Sequence, residues 1–275
     1  MSGIPAPLGA GTALRRHWPE YLIEGWALGM FMVSAGVFAT LLGFPGSPLV
    51  RSIGSEALRR TLVGVAMGLT AVALIYSPWG KRSGAHMNPA VTLAFWRLGK
   101  VASWDAVFYI AAQFSGGLLG VLITAALLRE TFTAPPVAYV ATLPGSYGAG
   151  GAFVAEFVIS MLLMMAVLRV SNTPRYAHLT GACAGALVAV YIAVEAPLSG
   201  MSMNPARSLA SALPAGLWQD LWIYFTAPVL GMQAAAAWSL LRRGRGGVAC
   251  AKLLHPQDQR CIHCGFVPSG DGAAL

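Results

Sequence analysis

Six stretches of the chain are long enough and apolar enough to cross a lipid bilayer, and this feature constrains the fold most. The 275 residues are 56% hydrophobic and only 10% charged. A bilayer core of about 30 Å needs about 20 apolar residues per helix, and lipid offers the backbone no other hydrogen-bond partner. We therefore predict an all-α membrane protein with spans at Tyr21–Leu42, Thr61–Trp79, Ala106–Leu128, Ala149–Leu168, His178–Val194 and Leu221–Leu241.

The net charge of +8 is explained better by membrane topology than by nucleic-acid binding, because the basic residues are distributed loop by loop. Six spans place both termini on one face, and most lysines and arginines fall in segments assigned to that face. The positive-inside rule then predicts cytoplasmic termini. We expect a multi-pass protein of the plasma (inner) membrane whose partner is the lipid bilayer.

A ten-residue segment occurs twice, once after the second span and once after the fifth. The copies are SGAHMNPAVT at 83–92 and SGMSMNPARS at 199–208, and their residues are 116 positions apart. Each copy contains an Asn-Pro-Ala box, formed by Asn88, Pro89 and Ala90 and by Asn204, Pro205 and Ala206. Three spans per half make the second half start from the opposite face, so the repeats 20–130 and 148–243 are related by inversion.

A short apolar stretch follows each box and predicts a half-helix, at Val91–Arg97 and at Ser208–Leu213. Asn is a favourable N-cap and Pro suits the first helical turn. About ten residues cover about 15 Å, or half of the hydrocarbon core, so each helix enters from its own face and stops near the middle. The two N-termini then face each other, each with roughly half a positive charge, and oppose the passage of cations.

Two Asn-Pro-Ala boxes on an inverted repeat of three spans each resemble the aquaporin (major intrinsic protein) family, over residues 20–243. The resemblance implies a homotetramer with one pore per subunit and a passive channel for water and other small neutral solutes. It also implies that Asn88 and Asn204 donate hydrogen bonds to solute at the pore centre, and that Arg207 lines the narrowest constriction.

Four charged or titratable residues in the membrane region have separate expected roles. Arg207 is expected to face a wet cavity and repel cations, with a structural ion pair as the alternative. Glu24 and Glu156 are expected to accept backbone N–H groups of the loops that carry the boxes. A proton relay through these carboxylates, as in a proton-coupled transporter, is the alternative. His86 is expected to fix its loop, with pH sensing as the alternative.

Matching the chain to the family motif by motif places the four constriction positions at Met67, Ile192, Met201 and Arg207. Strict water channels carry an aromatic residue and a His at the first two positions, whereas both are apolar here. The connection after the second span is longer than is usual in the family, which leaves Gly68 or Leu69 as alternatives to Met67.

Two further signals bear on the solute and point in different directions. Ser208, rather than Asp, follows Arg207, which favours water channels over glycerol facilitators, whereas residues 197–200 resemble plant nodulin-like relatives. We therefore predict water permeation, with glycerol, ammonia, peroxide or undissociated metalloid acids as additional or principal solutes. Nothing near the boxes supplies a nucleophile or paired acids, so we expect no enzymatic activity.

Three segments divide the chain: an N-terminal cytoplasmic segment at 1–19, the channel domain at 20–243 and a cytoplasmic tail at 244–275. The first span is too long for a signal peptide and is expected to be retained. The tail leaves the family pattern and offers four soft ligands, Cys250, His255, Cys261 and Cys264, with His263 as an alternative to His255. In a reducing compartment this spacing predicts a structural zinc site, and the alternative is a disordered tail with incidental cysteines.

Overall fold

The computed structural model describes residues 8–268, and within this range the regular structure is entirely helical. Residues 1–7 and 269–275, parts of the predicted N-terminal segment and tail, lie outside the described residues. The α-helices of the described range are α1 (Ala10–Gly43), α2 (Pro48–Ser52), α3 (Glu56–Tyr76), α4 (Pro78–Ser83), α5 (Pro89–Arg97), α6 (Ser103–Leu128), α7 (Glu130–Thr133), α8 (Gly148–Ser171), α9 (Thr180–Val194), α10 (Ala196–Ser199), α11 (Pro205–Ala215) and α12 (Leu221–Arg243).

Six long helices occupy the six predicted spans. Four of them, α1, α3, α6 and α8, together with Ala177–Val194 around α9, are long and apolar enough to cross a membrane. The 23-residue α12 packs along α8, as α6 packs along α1 in the first half. The start of α1 and the end of α12 lie on one face, called the terminal face here.

Several span boundaries differ from the sequence-based prediction, and two of the differences have a clear physical reason. Helix α1 begins at Ala10, so residues 10–19 continue the first helix instead of forming a separate segment. At about 1.5 Å per residue its 34 residues cover about 51 Å, which exceeds the bilayer core. Helix α3 ends at Tyr76, short of Trp79, because Ser77 is held extended before Pro78 and caps the next helix by accepting from Gly80 N at 2.9 Å.

Glycines allow the long helices to approach closely. A Cβ placed on Gly116 of α6 would lie 2.0 Å from Gly25 O of α1, and one on Gly120 would lie 2.3 Å from Gly29 O. Between the halves, a Cβ on Gly68 of α3 would lie 2.5 Å from Gly185 O of α9. In lipid, where no hydrophobic force drives helices together, small residues at such crossings permit tight backbone packing.

The two half-helices begin at their prolines, two or three residues earlier than the predicted starts. Helix α5 is nine residues long and α11 is eleven, and Asn88 and Asn204 are their N-caps. Each half-helix packs against the third span of the other half, α5 against α12 and α11 against α6. This crossed packing fixes the two boxes opposite each other inside the helix bundle.

Candidate functional site

A cavity of about 680 Å³ runs through the centre of the bundle. Its wall follows one face of α3, from Arg59 at one end to Ile75 at the other, a span of about 24 Å at about 1.5 Å rise per residue. Both box asparagines and Arg207 lie on the wall, and most of the remaining surface is apolar. At its terminal-face end the cavity is lined by His86 and Leu253.

The two asparagines are hydrogen-bonded crosswise at the centre of this cavity. Asn88 Nδ2 donates to Met203 O at 2.7 Å, and Asn204 Nδ2 donates to Met87 O at 2.7 Å. Each side-chain oxygen caps its own helix, since Asn88 Oδ1 accepts from Ala90 N at 2.8 Å and Asn204 Oδ1 accepts from Ala206 N at 3.0 Å. A carboxamide has two N–H donors, so each asparagine keeps one for a molecule in the cavity.

The loops that carry the boxes, residues 84–88 and 200–204, have the same unusual backbone. Ala85 and Met87 have φ of 54° and 50°, and Met201 and Met203 have φ of 49° and 54°. Non-glycine residues rarely adopt this left-handed region, and such strain persists only where the surroundings enforce it. From Ala85 and Met201 onward, residues with positive φ alternate with residues that lack it. As a result, successive backbone N–H groups point away from the cavity and towards a buried carboxylate in each half.

Glu24 and Glu156 are these carboxylates, and both are fully buried. Glu24 accepts from His86 N at 3.0 Å and Met87 N at 2.7 Å, and Glu156 accepts from Ser202 N at 2.6 Å and Met203 N at 2.7 Å. Serine hydroxyls and Gln113 supply further donors. The carboxylates thus satisfy backbone donors that lipid could not.

Two tyrosines complete this framework, and the sequence analysis missed their role. Tyr109 OH donates to Ser83 O at 2.7 Å, and Tyr224 OH donates to Ser199 O at 2.6 Å. The tyrosines are 115 positions apart, one less than the repeat offset, so the internal repeat was the available signal. The sequence analysis also missed Glu195, whose Oε1 accepts a hydrogen bond from Ser199 Oγ at 2.5 Å.

Met67, Ile192, Met201 and Arg207 all lie on the cavity wall. The two alternatives to Met67 point elsewhere, because Gly68 packs on the backbone of α9 and Leu69 is 63% exposed on the outer surface. Arg207 Nη1 is buried and has no hydrogen-bond partner among the described residues. A guanidinium that lines a cavity with an unpaired donor is positioned to bind a polar molecule there.

His86 connects the first box loop to the tail. Its Nε2 lies 2.8 Å from Ala251 O and its Nδ1 lies 3.1 Å from Thr92 Oγ1. A carbonyl can only accept, so Nε2 carries the proton, and in the neutral ring Nδ1 accepts from the Thr92 hydroxyl. The ring also stacks on His263 of the tail, with centroids 5.7 Å apart.

The described part of the tail, residues 244–268, is folded against the terminal face, contrary to the disordered alternative. Val248, Ala251, Lys252 and Leu253 are at most 6% exposed. Burial lowers the pKa of Lys252, whose Nζ donates to Arg260 O at 3.3 Å. The pKa of His263 is also lowered, to about 4, first by burial and second by electrostatic interaction with His86. The His263 ring is therefore neutral near pH 7.

The four soft ligands of the tail converge. One candidate ligand atom from each of Cys250, His255, Cys261 and Cys264 lies within 4.8 Å of the other three. Cys250 Sγ and Cys261 Sγ are 3.4 Å apart, which is too far for a disulfide of about 2.05 Å. His255 Nε2 is 3.2 Å from Cys264 Sγ. His263 is not part of this group, because its Nε2 lies 3.2 Å from Ser83 O.

Comparisons with known proteins agree with this architecture. A family model described as Major intrinsic protein matches residues 18–239. Aquaporin NIP1-1 of Oryza sativa subsp. japonica is 35% identical over 239 residues, 82% of this chain and 82% of that protein. Aquaporin NIP3-1 of Arabidopsis thaliana is 39% identical over 193 residues, 66% of this chain and 58% of that protein.

The chain likewise spans 58% of the length of two further Arabidopsis thaliana relatives, which are 41% and 39% identical to it. Among solved structures, the aquaglyceroporin from Plasmodium falciparum matches with a TM-score of 0.68. That match covers 81% of this chain and 95% of the other at 18% identity, so it bears on the fold alone.

Proposed function

Because the chain belongs to the major intrinsic protein family, a family of channels and not of enzymes, we propose that it conducts water and other small neutral solutes passively across a membrane. The observation that carries the proposal is the crossed pair of asparagines on the wall of a long central cavity. Each amide has one donor engaged and one free. A solute that reaches the centre therefore exchanges bulk-water hydrogen bonds for a few fixed ones.

Ion exclusion follows from charges that the fold fixes beside the cavity. The N-termini of α5 and α11 each contribute roughly half a positive charge, and Arg207 adds a full one. Cations, including hydronium, are repelled, and the mostly apolar wall offers few side-chain oxygens, those of Glu56, Asn88, Ser202 and Asn204, to replace the hydration shell of an ion. Neutral molecules that donate and accept hydrogen bonds are held weakly enough to leave.

A proton-coupled transporter is a poorer account of the two buried carboxylates. Glu24 and Glu156 hold backbone donors of the box loops on both of their oxygens. Neither residue lines the cavity. Supporting the loops accounts for both carboxylates without any role in proton transfer.

The solute range depends on the constriction. Met67, Ile192 and Met201 present no hydrogen-bonding side chain except the thioether sulfur, and methionine adapts its shape readily. This favours a second candidate function, in which glycerol, ammonia, peroxide or undissociated metalloid acids are principal solutes. Water remains the first expectation, because Arg207 and the asparagine amides can bind it in sequence.

We further propose that residues 20–243 form the channel domain of a homotetramer in the plasma (inner) membrane, with both termini in the cytoplasm. Exposed apolar side chains on the long helices, such as Leu22, Leu69, Leu127 and Val190, support burial in lipid or against neighbouring subunits. Solute passage itself needs no cofactor, and a structural zinc ion would belong to the tail.

Stopped-flow light scattering on proteoliposomes tests the proposal. Vesicles with the full chain are exposed to osmotic gradients of an impermeant solute and of glycerol, with and without a zinc chelator. We expect water flux above that of empty vesicles. A solute that shows no rate above empty vesicles in either condition is rejected.

A further inference from the structure

We propose that Cys250, His255, Cys261 and Cys264 bind one zinc ion and that the tail folded around this ion closes the terminal-face mouth of the cavity. The metal site stands on its own geometry, whereas closure rests on the proposed channel function. Release of the ion would free the tail and open the mouth.

The four side chains fit a tetrahedral zinc site. Zinc–sulfur bonds of about 2.3 Å place two sulfur ligands about 3.8 Å apart, close to the 3.4 Å between Cys250 and Cys261. The 3.2 Å between His255 Nε2 and Cys264 Sγ is near the separation that a shared ion requires. Three thiols and one imidazole form a set that structural zinc sites use.

The tail has little else to hold its fold. Residues 248–268 contain no helix or strand, yet Cys250, Ala251 and Cys261 are at most 8% exposed. Segments this short rarely bury enough apolar area to fold unaided, and metals commonly supply the missing stability. Zinc binding would order the segment between Cys250 and Cys264 and so fix residues 249–253, which reach the cavity.

Residues 249–253 are anchored to both sides of the mouth. Leu253 N donates to Gly84 O at 3.2 Å, and Ala249 N donates to Asn172 Oδ1 beyond the end of α8 at 2.7 Å. Gly84 has φ of 110°, and a Cβ there would lie 3.3 Å from Lys252 Cα. Arg260 Nη2 donates to Arg16 O of α1 at 3.0 Å.

The tail also takes part in the wall of the cavity. Leu253 is 6% exposed and lines the cavity beside Ala85 and His86. A solute at this end would meet the N–H group at His86 Nε2, but this group already donates to Ala251 O. An apolar side chain and a satisfied histidine replace the polar exit that a conducting mouth needs.

The experiment uses the full chain in proteoliposomes. Zinc content is measured by mass spectrometry, and water and glycerol flux by stopped-flow scattering, for the wild type and three variants. Cys261→Ser with Cys264→Ser removes two ligands, Leu253→Ala opens the wall without touching a ligand, and Cys183→Ser is a matched cysteine control in α9. Purification in the absence of added chelator keeps resident metal in place.

We expect one zinc ion per chain in the wild type, the Leu253→Ala chain and the Cys183→Ser chain, and none in the double variant. Flux should rise several-fold in the double variant, in the Leu253→Ala chain and in chelated wild type, but not in Cys183→Ser. Should the double variant fail to fold, chelation and Leu253→Ala decide the question.

Two results would overturn different parts of the inference. Wild type without bound zinc, including after incubation with zinc under reducing conditions, overturns the metal site. Loss of zinc with unchanged flux, together with unchanged flux in Leu253→Ala, overturns the closure. Absence of flux from every protein instead contradicts the channel function and leaves the zinc measurement valid.

Discussion

Asn88 and Asn204 each donate a side-chain amide hydrogen to the backbone carbonyl that precedes the other asparagine, at 2.7 Å in both directions. The two halves of the chain are therefore joined at their centre by a reciprocal pair of hydrogen bonds. Each bond also sets the rotamer of its asparagine, which leaves the second amide hydrogen pointing to the cavity. Solute binding and loop structure depend on the same two side chains.

Asn204→Asp should separate these roles, since Asp still caps α11 but cannot donate to Met87 O. Leaving that buried carbonyl unpaired opposite a carboxylate should reduce the free energy of unfolding by about 1–3 kcal/mol. The added negative charge should also weaken cation exclusion. Thermal unfolding in detergent and ion conductance in bilayers measure the two effects. Gln219→Glu, at an exposed position in the loop before α12, is the control, and equal effects in both variants would contradict the assignment.

Glu24→Gln should destabilise the first box loop. The carboxylate accepts from His86 N and Met87 N, and a glutamine would turn one of its own donors towards these groups. Each buried donor left unpaired costs about 1–3 kcal/mol, so the unfolding midpoint should fall clearly. Glu56→Gln is the matched control, because the Glu56 side chain is 83% exposed. No difference between the two variants would show that the loop does not need the carboxylate.

Gly116→Ala should loosen the packing of α1 on α6. The new Cβ would lie 2.0 Å from Gly25 O, and overpacking of this kind costs about 1–3 kcal/mol. Gly54→Ala, with nothing within 4 Å of its Cβ, should stay within about 0.5 kcal/mol of wild type. Thermal unfolding compares the two, and a stabilised Gly116→Ala chain would refute the close approach.

Sequence alone predicted the spans and the half-helices, because both depend on local features. Apolar windows of bilayer length specify helices, and Asn-Pro specifies where a half-helix begins. The carboxylates of Glu24 and Glu156 were predicted to hold the box loops, and they accept N–H groups of those loops in the structure.

Contacts between distant segments could not be predicted in the same way. The bond from His86 to Ala251 O joins residues 165 positions apart, and the acceptor is a backbone atom that any residue would supply. The sequence analysis therefore separated the tail from the channel domain, whereas Leu253 of the tail lines the cavity. The early start of α1 was missed for another reason, since the charged residues before Tyr21 ended the apolar window but do not end a helix.

Ile192→His should narrow the constriction and add a polar contact, as in strict water channels. Glycerol flux should fall several-fold while water flux is retained, because a larger solute needs the space that the imidazole fills. Ile192→Leu keeps the volume without a polar atom and should leave the ratio of the two fluxes unchanged. A parallel loss of both fluxes, or no change in either, would place the constriction elsewhere.

Arg207→Ala and Arg207→Lys together test the charge at the constriction. The alanine variant should admit protons or other cations and pass glycerol faster, because both the charge and the bulk are lost. The lysine variant keeps the charge and should still exclude cations, although it lacks the planar fork of donors. Proton uptake by vesicles under a pH gradient distinguishes the two variants. Uptake no faster with Arg207→Ala than with the wild type would contradict the role of Arg207 in excluding cations.

The most direct test of the account measures water flux and ion conductance on the same reconstituted protein, in the wild type and in the Leu253→Ala chain. We predict osmotic water flux above that of empty vesicles in the Leu253→Ala chain and several-fold slower flux in the zinc-bound wild type, with proton and potassium conductance in both no higher than in protein-free membranes. Ionic conductance that rises together with water flux, or the absence of neutral-solute flux from both proteins, would contradict it.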